Sequence, residues 1–504
     1  MDRRTFVGLA AAGAILPSRL SSLDWLSLQE VRRHPLGRPS TVSGDGLTLT
    51  ARPASVDVGA GQVDAWTLNG SVPSPTIRLR QGDTARIDLV NELPEQTILH
   101  WHGLAVPQEA DGHPRLAIDP GERYAYEYRI LNRSGTYWYH PHPHGVTAAQ
   151  TYKGMGGFLI VDSDEEDGYE LPSGEYEIPL ILQDKRVGDS LSLAYGIGMP
   201  HDRMHGYLGD TAFANGVANA TVDVRRSRYR LRILNGSNAR ILDLALSNGD
   251  PLVLVGSDGG LLEAPVRMDR IMLGPAERAD VLVDFSARRA GERVMLRSLA
   301  FDVPGMMGMG MAMGRGGRGG RGGRGGMMGM GMGGPAQGTE MDMLEFVVQD
   351  SPSEPGPPPP TRFSAVPDRG QVTADTPRRT FTFASSMMMG GGGPTHTING
   401  KQFELLRVDE RVPARQTEVW TFVNDSELPH PVHVHAGQFR VLSRTGGRGR
   451  VMPWETGLKD TVLAMPGERV DVAVRFVYEG LFLIHCHNLE HEDMNMMLNF
   501  EVIA

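Results

Sequence analysis

Apolar and polar positions alternate along this chain in short runs, and Gly, Pro and Asn close most of them. Ile87-Asp88-Leu89-Val90-Asn91, Leu231-Arg232-Ile233-Leu234-Asn235 and Trp420-Thr421-Phe422-Val423-Asn424 are three such runs, each ending in Asn. Period-two alternation bounded by turn formers predicts half-buried β-strands. An Asn-Gly pair precedes each run, at Asn69-Gly70, Asn215-Gly216 and Asn399-Gly400. A third marker follows each: Pro120-Gly121-Glu122-Arg123, Pro275-Ala276-Glu277-Arg278 and Pro466-Gly467-Glu468-Arg469. These lead into further alternating runs such as Tyr124-Ala125-Tyr126-Glu127-Tyr128. Markers that recur in one order predict three copies of a single all-β unit, and short strands at this density predict a sandwich of two sheets.

A chain of 504 residues is too long for one core. The units read as 45–165, 166–350 and 376–504, with a Pro-rich linker at 351–375. Residues 305–334 are an insertion of almost only Met, Gly and Arg, with an Arg-Gly-Gly repeat from Arg315 to Gly326. Neither the insertion nor Ser351–Pro360 can bury a core, so both are expected to be flexible and the insertion disordered. A hydrophobic share of 40% with 22% charged residues is ordinary for a globular protein. The net charge of −10 argues against a nucleic-acid partner. Arg-Gly-Gly repeats also occur in RNA-binding tails, but in an acidic exported chain a solvated loop is the better reading. No apolar stretch is long enough to span a bilayer, so no stable membrane insertion is expected. Asp2-Arg3-Arg4-Thr5-Phe6-Val7, followed by the apolar run Gly8–Leu16, reads as a twin-arginine export signal within residues 1–25. It predicts a partner in the twin-arginine export machinery and a periplasmic or exported location.

The chain has one cysteine, so no disulfide forms within it. Its surroundings read His485-Cys486-His487, then His491 and Met496. A thiolate, imidazoles and a thioether at this spacing are the donors of a blue-copper electron-transfer centre. The histidines cluster: His100-Trp101-His102, His140-Pro141-His142 and His430-Pro431-Val432-His433-Val434-His435 complete four His-x-His pairs. Residues two apart in a strand share a face, so each pair can grip one metal or two adjacent ones. Parity sets His430 with Cys486, His491 and Met496 at one copper, while the eight paired histidines face a second, multinuclear site. The second unit has Leu296-Arg297-Ser298 where the others carry ligands. Metals are therefore expected in the third unit and between the first and third, with the second as a spacer.

With these four motifs the chain resembles the three-domain multicopper oxidases, the group of bacterial laccases and periplasmic cuprous oxidases, from about residue 45 to the C-terminus. The resemblance implies three consecutive cupredoxin-like Greek-key β-sandwich domains and four copper ions. Type-1 copper would take His430, Cys486, His491 and Met496, and type-2 copper His100 and His433. One type-3 copper would take His102, His140 and His487, and the other His142, His435 and His485. The family oxidises four substrate molecules one electron at a time and reduces dioxygen to two waters. Gly usually follows the third motif's last His; here Ala436 stands there, with Gly437 next. Asp111 and Glu492 are placed as proton relays, since making water consumes protons. His113, His144, His201, His205 and His396 have no assigned partner and read as ordinary polar residues. A monomer is expected.

An axial thioether favours easily oxidised substrates, namely Cu(I), electron-rich phenols or aromatic amines. Met306, Met307, Met309, Met311, Met313, Met327, Met328, Met330 and Met332 flank the Arg-Gly segment, and Met387, Met388 and Met389 form a second cluster. Their Gly neighbours leave no core to pack, and thioethers select Cu(I). The first reading is a cuprous oxidase in copper tolerance that also acts on phenols. The second is a laccase acting mainly on organic substrates. The third is a non-catalytic exported scaffold, whose mark would be lost ligands; none of the twelve is missing.

Overall fold

A computed structural model of the chain describes residues 31–187, 193, 195–303, 336–387 and 394–504. The expected export signal, the insertion at 305–334 with its nine methionines, and Met388 and Met389 lie outside the described residues, as does the side chain of Met387. Among the described residues no helix is long and apolar enough to cross a membrane.

The described strands form six sheets that pair into three sandwiches in chain order. In each, a long strand runs parallel to the alternating strand that ends in Asn, and that strand runs antiparallel to the one after the Glu-Arg marker. These trios are Asp45–Asp57, Thr84–Asn91 and Arg123–Arg129; Glu177–Lys185, Arg228–Asn235 and Arg278–Asp284; and Arg378–Met387, Glu418–Asn424 and Arg469–Val474. Apolar side chains from both sheets of each sandwich meet in one core: Leu49, Leu89 and Tyr137 in the first, Leu231, Leu244 and Phe346 in the second, and Phe381, Trp420 and Phe500 in the third.

The recurring markers have recurring physical work. Asn69-Gly70, Asn215-Gly216 and Asn399-Gly400 all have positive φ at both positions, the conformation of a tight hairpin turn, which Asn and Gly tolerate best. The strand-ending asparagines repeat one bonding pattern. The Asn91 amide donates to the Glu95 and Ile118 carbonyls, that of Asn235 to Arg240 and Leu273, and that of Asn424 to Leu428 and Ala464. Each stitches the strand end to the following loop.

Three features depart from expectation. Strands His34–Pro35 and Thr41–Ser43 come before residue 45, pairing with Ala220–Val224 and Thr76–Arg80; they are too short to show an alternating pattern. The Pro-rich segment is tied to the second sandwich: Ser227 Oγ donates to the Glu354 carbonyl and the Arg226 N–H to Ser351 Oγ, while Phe363 and Val366 are buried. Proline lacks a donor but its neighbours' carbonyls still accept. Finally, Arg230 and Arg232, on the non-core face of their strand, are buried. They pair with Glu166, Glu177 and Asp280, and Arg232 also reaches Thr136 of the first sandwich.

Candidate metal centre

Strand Gly480–Cys486 lies antiparallel to His430–Val434, with His433 opposite His485 and Val432 opposite Cys486. Alternation then sends the two histidines to one face and Cys486 to the other. In the first sandwich Leu99–His102 pairs with Gly135–Pro141, placing His100 opposite His140. The His-bearing faces of the two sandwiches meet, and all eight paired histidines are buried.

Three groups form there. His100 Nε2 lies 3.3 Å from His433 Nε2. His102 Nδ1 lies 3.4 Å from His140 Nε2, with His487 closing the group. His485 Nε2 lies 3.1 Å from His435 Nε2 and 3.4 Å from His142 Nε2. On the other face, Cys486 Sγ lies 3.4 Å from His430 Nδ1 and 3.7 Å from His491 Nδ1. Met496 is buried in the same core cluster as Cys486, whose N–H donates to the Met496 carbonyl.

The outer nitrogens decide what these groups can hold. His100 Nδ1 faces the Asp111 carbonyl at 2.6 Å, His433 Nδ1 the Asp460 carbonyl at 2.8 Å, His140 Nδ1 the Pro141 carbonyl at 2.9 Å and His485 Nδ1 the Cys486 carbonyl at 3.1 Å. His435 Nδ1 faces Asp111 Oδ2 at 2.8 Å, and His102 Nε2 faces Asp460 Oδ1 at 3.0 Å. Each oxygen accepts the ring's proton, so the nitrogen turned inward carries a lone pair. Lone pairs aimed at one another across 3.1–3.4 Å repel unless a cation lies among them. His487 has both nitrogens buried without a partner. The donor set therefore fits metal ions, and imidazole with thiolate suits copper.

Burial also sets the protonation. It pushes His140 and His430 down to about 3 and His142 to about 4. His100, His102, His433, His435, His487 and His491 fall well below the ordinary range, with neighbouring imidazoles adding to the effect. These rings are neutral near pH 7, the ligating form. Burial pushes the Cys486 thiol up, so a thiolate there needs a cation beside it.

The two acids lie at the edge of the pocket. Asp111 is fully buried, and burial raises its carboxyl well above the usual range. Glu492 Oε2 lies 3.2 Å from His485 Nδ1 and its Oε1 3.6 Å from His142 Nδ1. Burial would raise Glu492, but His142 and His485 outweigh it and hold the carboxyl below its usual range.

Multicopper oxidase family models match residues 50–166, 200–306 and 363–504. The chain is 31% identical to a multicopper oxidase of Staphylococcus haemolyticus over 86% of its own length and 83% of the relative's. This chain belongs to the multicopper oxidases. It is also 31% identical to a laccase of Bacillus stratosphericus, covering 87% of this chain and 90% of that one. The crystal structure of the McoA multicopper oxidase of Aquifex aeolicus superposes with a TM-score of 0.79 at 32% identity, covering 94% of this chain and all of that one. The three sandwiches are consecutive cupredoxin-like domains, and the enzyme is a copper-dependent oxidoreductase that uses dioxygen and an oxidisable substrate.

The oxidase also holds residues that sequence reasoning passed over. Asp460 bonds His102, and Thr461 Oγ1 lies 3.1 Å from His102 Nε2 and 3.2 Å from His433 Nδ1. Asp460 is in turn gripped by both terminal nitrogens of Arg278, one of them at 2.7 Å. Arg278 belongs to the second domain, so that domain is more than a spacer. Two of the unassigned histidines also lie around the thiolate site: His396 stacks on His491 at 4.1 Å, and His205 lines the narrow cleft that leads to His491. Ser426 Oγ lies 2.9 Å from His430 Nε2 and orients that ring. Of the other three, His113 is buried against Asn499, His144 packs on Phe403 and His201 is exposed. A polar residue in an alternating run gives no sign of which partner its outer face will meet, so these had no signal of their own.

Proposed function

We propose that the enzyme oxidises its substrate one electron at a time at a type-1 copper held by His430, Cys486, His491 and Met496. Dioxygen is reduced to water at a trinuclear cluster held by His100 and His433 (type-2), His102, His140 and His487 (one type-3), and His142, His435 and His485 (the other). Copper, when bound, supplies the one-electron steps and the reduction of dioxygen. The reading is carried by the position of Cys486: its sulfur faces one donor set, and its covalent neighbours His485 and His487 belong to the other. The chain thus offers two short through-bond routes from the thiolate to the imidazoles of the cluster.

The remaining residues hold this arrangement. The Asn488 N–H donates to Cys486 Sγ at 3.4 Å, which stabilises sulfur as a thiolate. Asp111 stands beside His435 and Glu492 beside His485 and His142. Asp111, its carboxyl raised by burial, holds a proton, and Glu492, a carboxylate, accepts one and passes it on where water forms. Substrates are Cu(I), in a role in copper tolerance, and electron-rich phenols; the methionine-rich insertion supports the first and the similarity to a laccase supports the second. A twin-arginine route to the periplasm and a monomeric state complete the proposal.

Oxygen uptake by the copper-loaded enzyme with Cu(I) and with a phenol, side by side, tests it. Uptake with both supports the reading. Deleting residues 305–334 should lower Cu(I) turnover more than phenol turnover. If phenol turnover falls and Cu(I) oxidation does not, the enzyme is a laccase whose loop gates organic substrates. A copper-loaded protein that consumes no oxygen with either substrate overturns the enzyme reading.

A further inference from the structure

His491 is only 1% exposed, so no donor in solution lies against its ring. A short helix, Pro200–His205, covers it. The last carbonyls of a helix have no partner within it, and here three successive ones bond to groups around the thiolate site. The Arg203 carbonyl accepts from His396 Nε2 at 3.0 Å, that of Met204 from His491 Nε2 at 3.0 Å and that of His205 from Asn488 Nδ2 at 3.3 Å. The helix is thereby fixed to the ring that any incoming electron must reach.

The helix also carries its own donors. His201 and His205 are one turn apart, and their rings meet at 4.5 Å between centroids. Met204 falls on the same face by helical spacing. His205 Nδ1 is shielded from solvent with no hydrogen-bond partner. Asp202 is buried and paired with Arg186, and its Oδ1 also lies 3.7 Å from His201 Nδ1, where it can orient that ring. Imidazole suits copper, and the soft thioether beside the two rings favours Cu(I) over harder cations.

We propose that His201, Met204 and His205 form a docking site for a cuprous ion as substrate, and that its electron enters through the Met204 carbonyl and the Nε2–H of His491. The proposal rests on the cuprous-oxidase reading above and names the entry point for that substrate. Each docked Cu(I) loses one electron and leaves as Cu(II), which prefers harder ligands than a thioether. Four such electrons, with four protons, reduce one dioxygen to two waters.

The test compares wild type with His201→Ala and with the double variant His201→Ala/His205→Ala, all copper-loaded. His201 is exposed, so the single variant keeps the fold. Oxygen uptake gives kcat/KM for Cu(I) and for a dimethoxyphenol, and calorimetry counts bound Ag(I), a redox-inert stand-in for Cu(I). The ratio of Cu(I) to phenol kcat/KM should fall at least tenfold in the double variant and at least threefold in the single one, mainly through KM for Cu(I), with one Ag(I) lost from the double variant. Equal changes on both substrates, or an unchanged Ag(I) count, overturn the docking site while leaving the cuprous reading intact. A wild type that consumes oxygen with the phenol but not with Cu(I) overturns both.

Discussion

At Cys486 the protein raises the cost of a thiolate by burying it and offsets part of that cost with one backbone N–H, leaving the rest to a cation held between the sulfur and the two imidazoles turned toward it. Replacing Cys486 by Ser keeps the size and removes the soft ligand. It should abolish the visible thiolate–copper absorption and turnover of both Cu(I) and phenol, while the eight-imidazole pocket still takes copper. Retained turnover with either substrate would break the proposed electron path. Arg278 acts one step further out, through Asp460 to the proton on His102 Nε2. With Arg278→Met, Asp460 stays buried without that cation, and its hold on the ring weakens. Outer partners of ligands typically matter 10–100-fold in metal affinity or activity. A chelator competition should show a loss of about that size in the eight-imidazole pocket, with the Cys486 absorption unmoved. An equal loss at both sites would mean general destabilisation instead. Cys486 and the His-x-His pairs were legible because few roles other than metal binding explain such clusters. Arg278 and Asp460 were not, because an isolated Arg or Asp in an alternating strand reads as a solvated side chain.

Among elements, the strand Arg228–Asn235 shows what alternation does and does not reveal. Its apolar positions fill the second core, as period two requires. Its other face, with Arg230 and Arg232, is covered by the first domain rather than by water. Burial alone would raise the carboxyl of Glu166, but Arg232 and Arg230 outweigh it and hold it at about 2. A carboxyl lowered in the folded state stabilises it fully above its unfolded pKa of about 4.5, and that contribution fades as pH falls toward 2. The contribution at neutral pH is on the order of 3 kcal/mol. Glu166→Gln should therefore lower the Tm clearly at pH 7, and the gap to wild type should close between pH 4.5 and 2. A gap that stays constant over that window would rule out the ion pairs as its source.

For the molecule as a whole, the pocket joins residues from both ends of the described chain: His100, His102, His140 and His142 on one side, His433, His435, His485 and His487 on the other. Metal that binds only the folded pocket stabilises it by mass action. Copper loading should raise the Tm by at least about 5 °C, and the apo protein should release its first and third domains from each other before either unfolds. Calorimetry with and without a chelator checks this; a Tm indifferent to copper would mean that the histidines bind no metal across the interface.

The sequence by itself determined the local terms: strands from period two, turns from Asn-Gly, three units from recurring markers, and the donor types from Cys486 and the paired histidines. These depend on residues close together in the chain, where spacing and geometry are nearly the same thing. Only the tertiary structure decided which nitrogen of each ring points inward, that the second domain reaches the pocket through Arg278, and that the Pro200–His205 helix covers His491. Those depend on backbone carbonyls and carboxylates brought together from distant segments. Hydrogen-bond partners and burial at that range are set by how the three sandwiches pack, which no local pattern encodes.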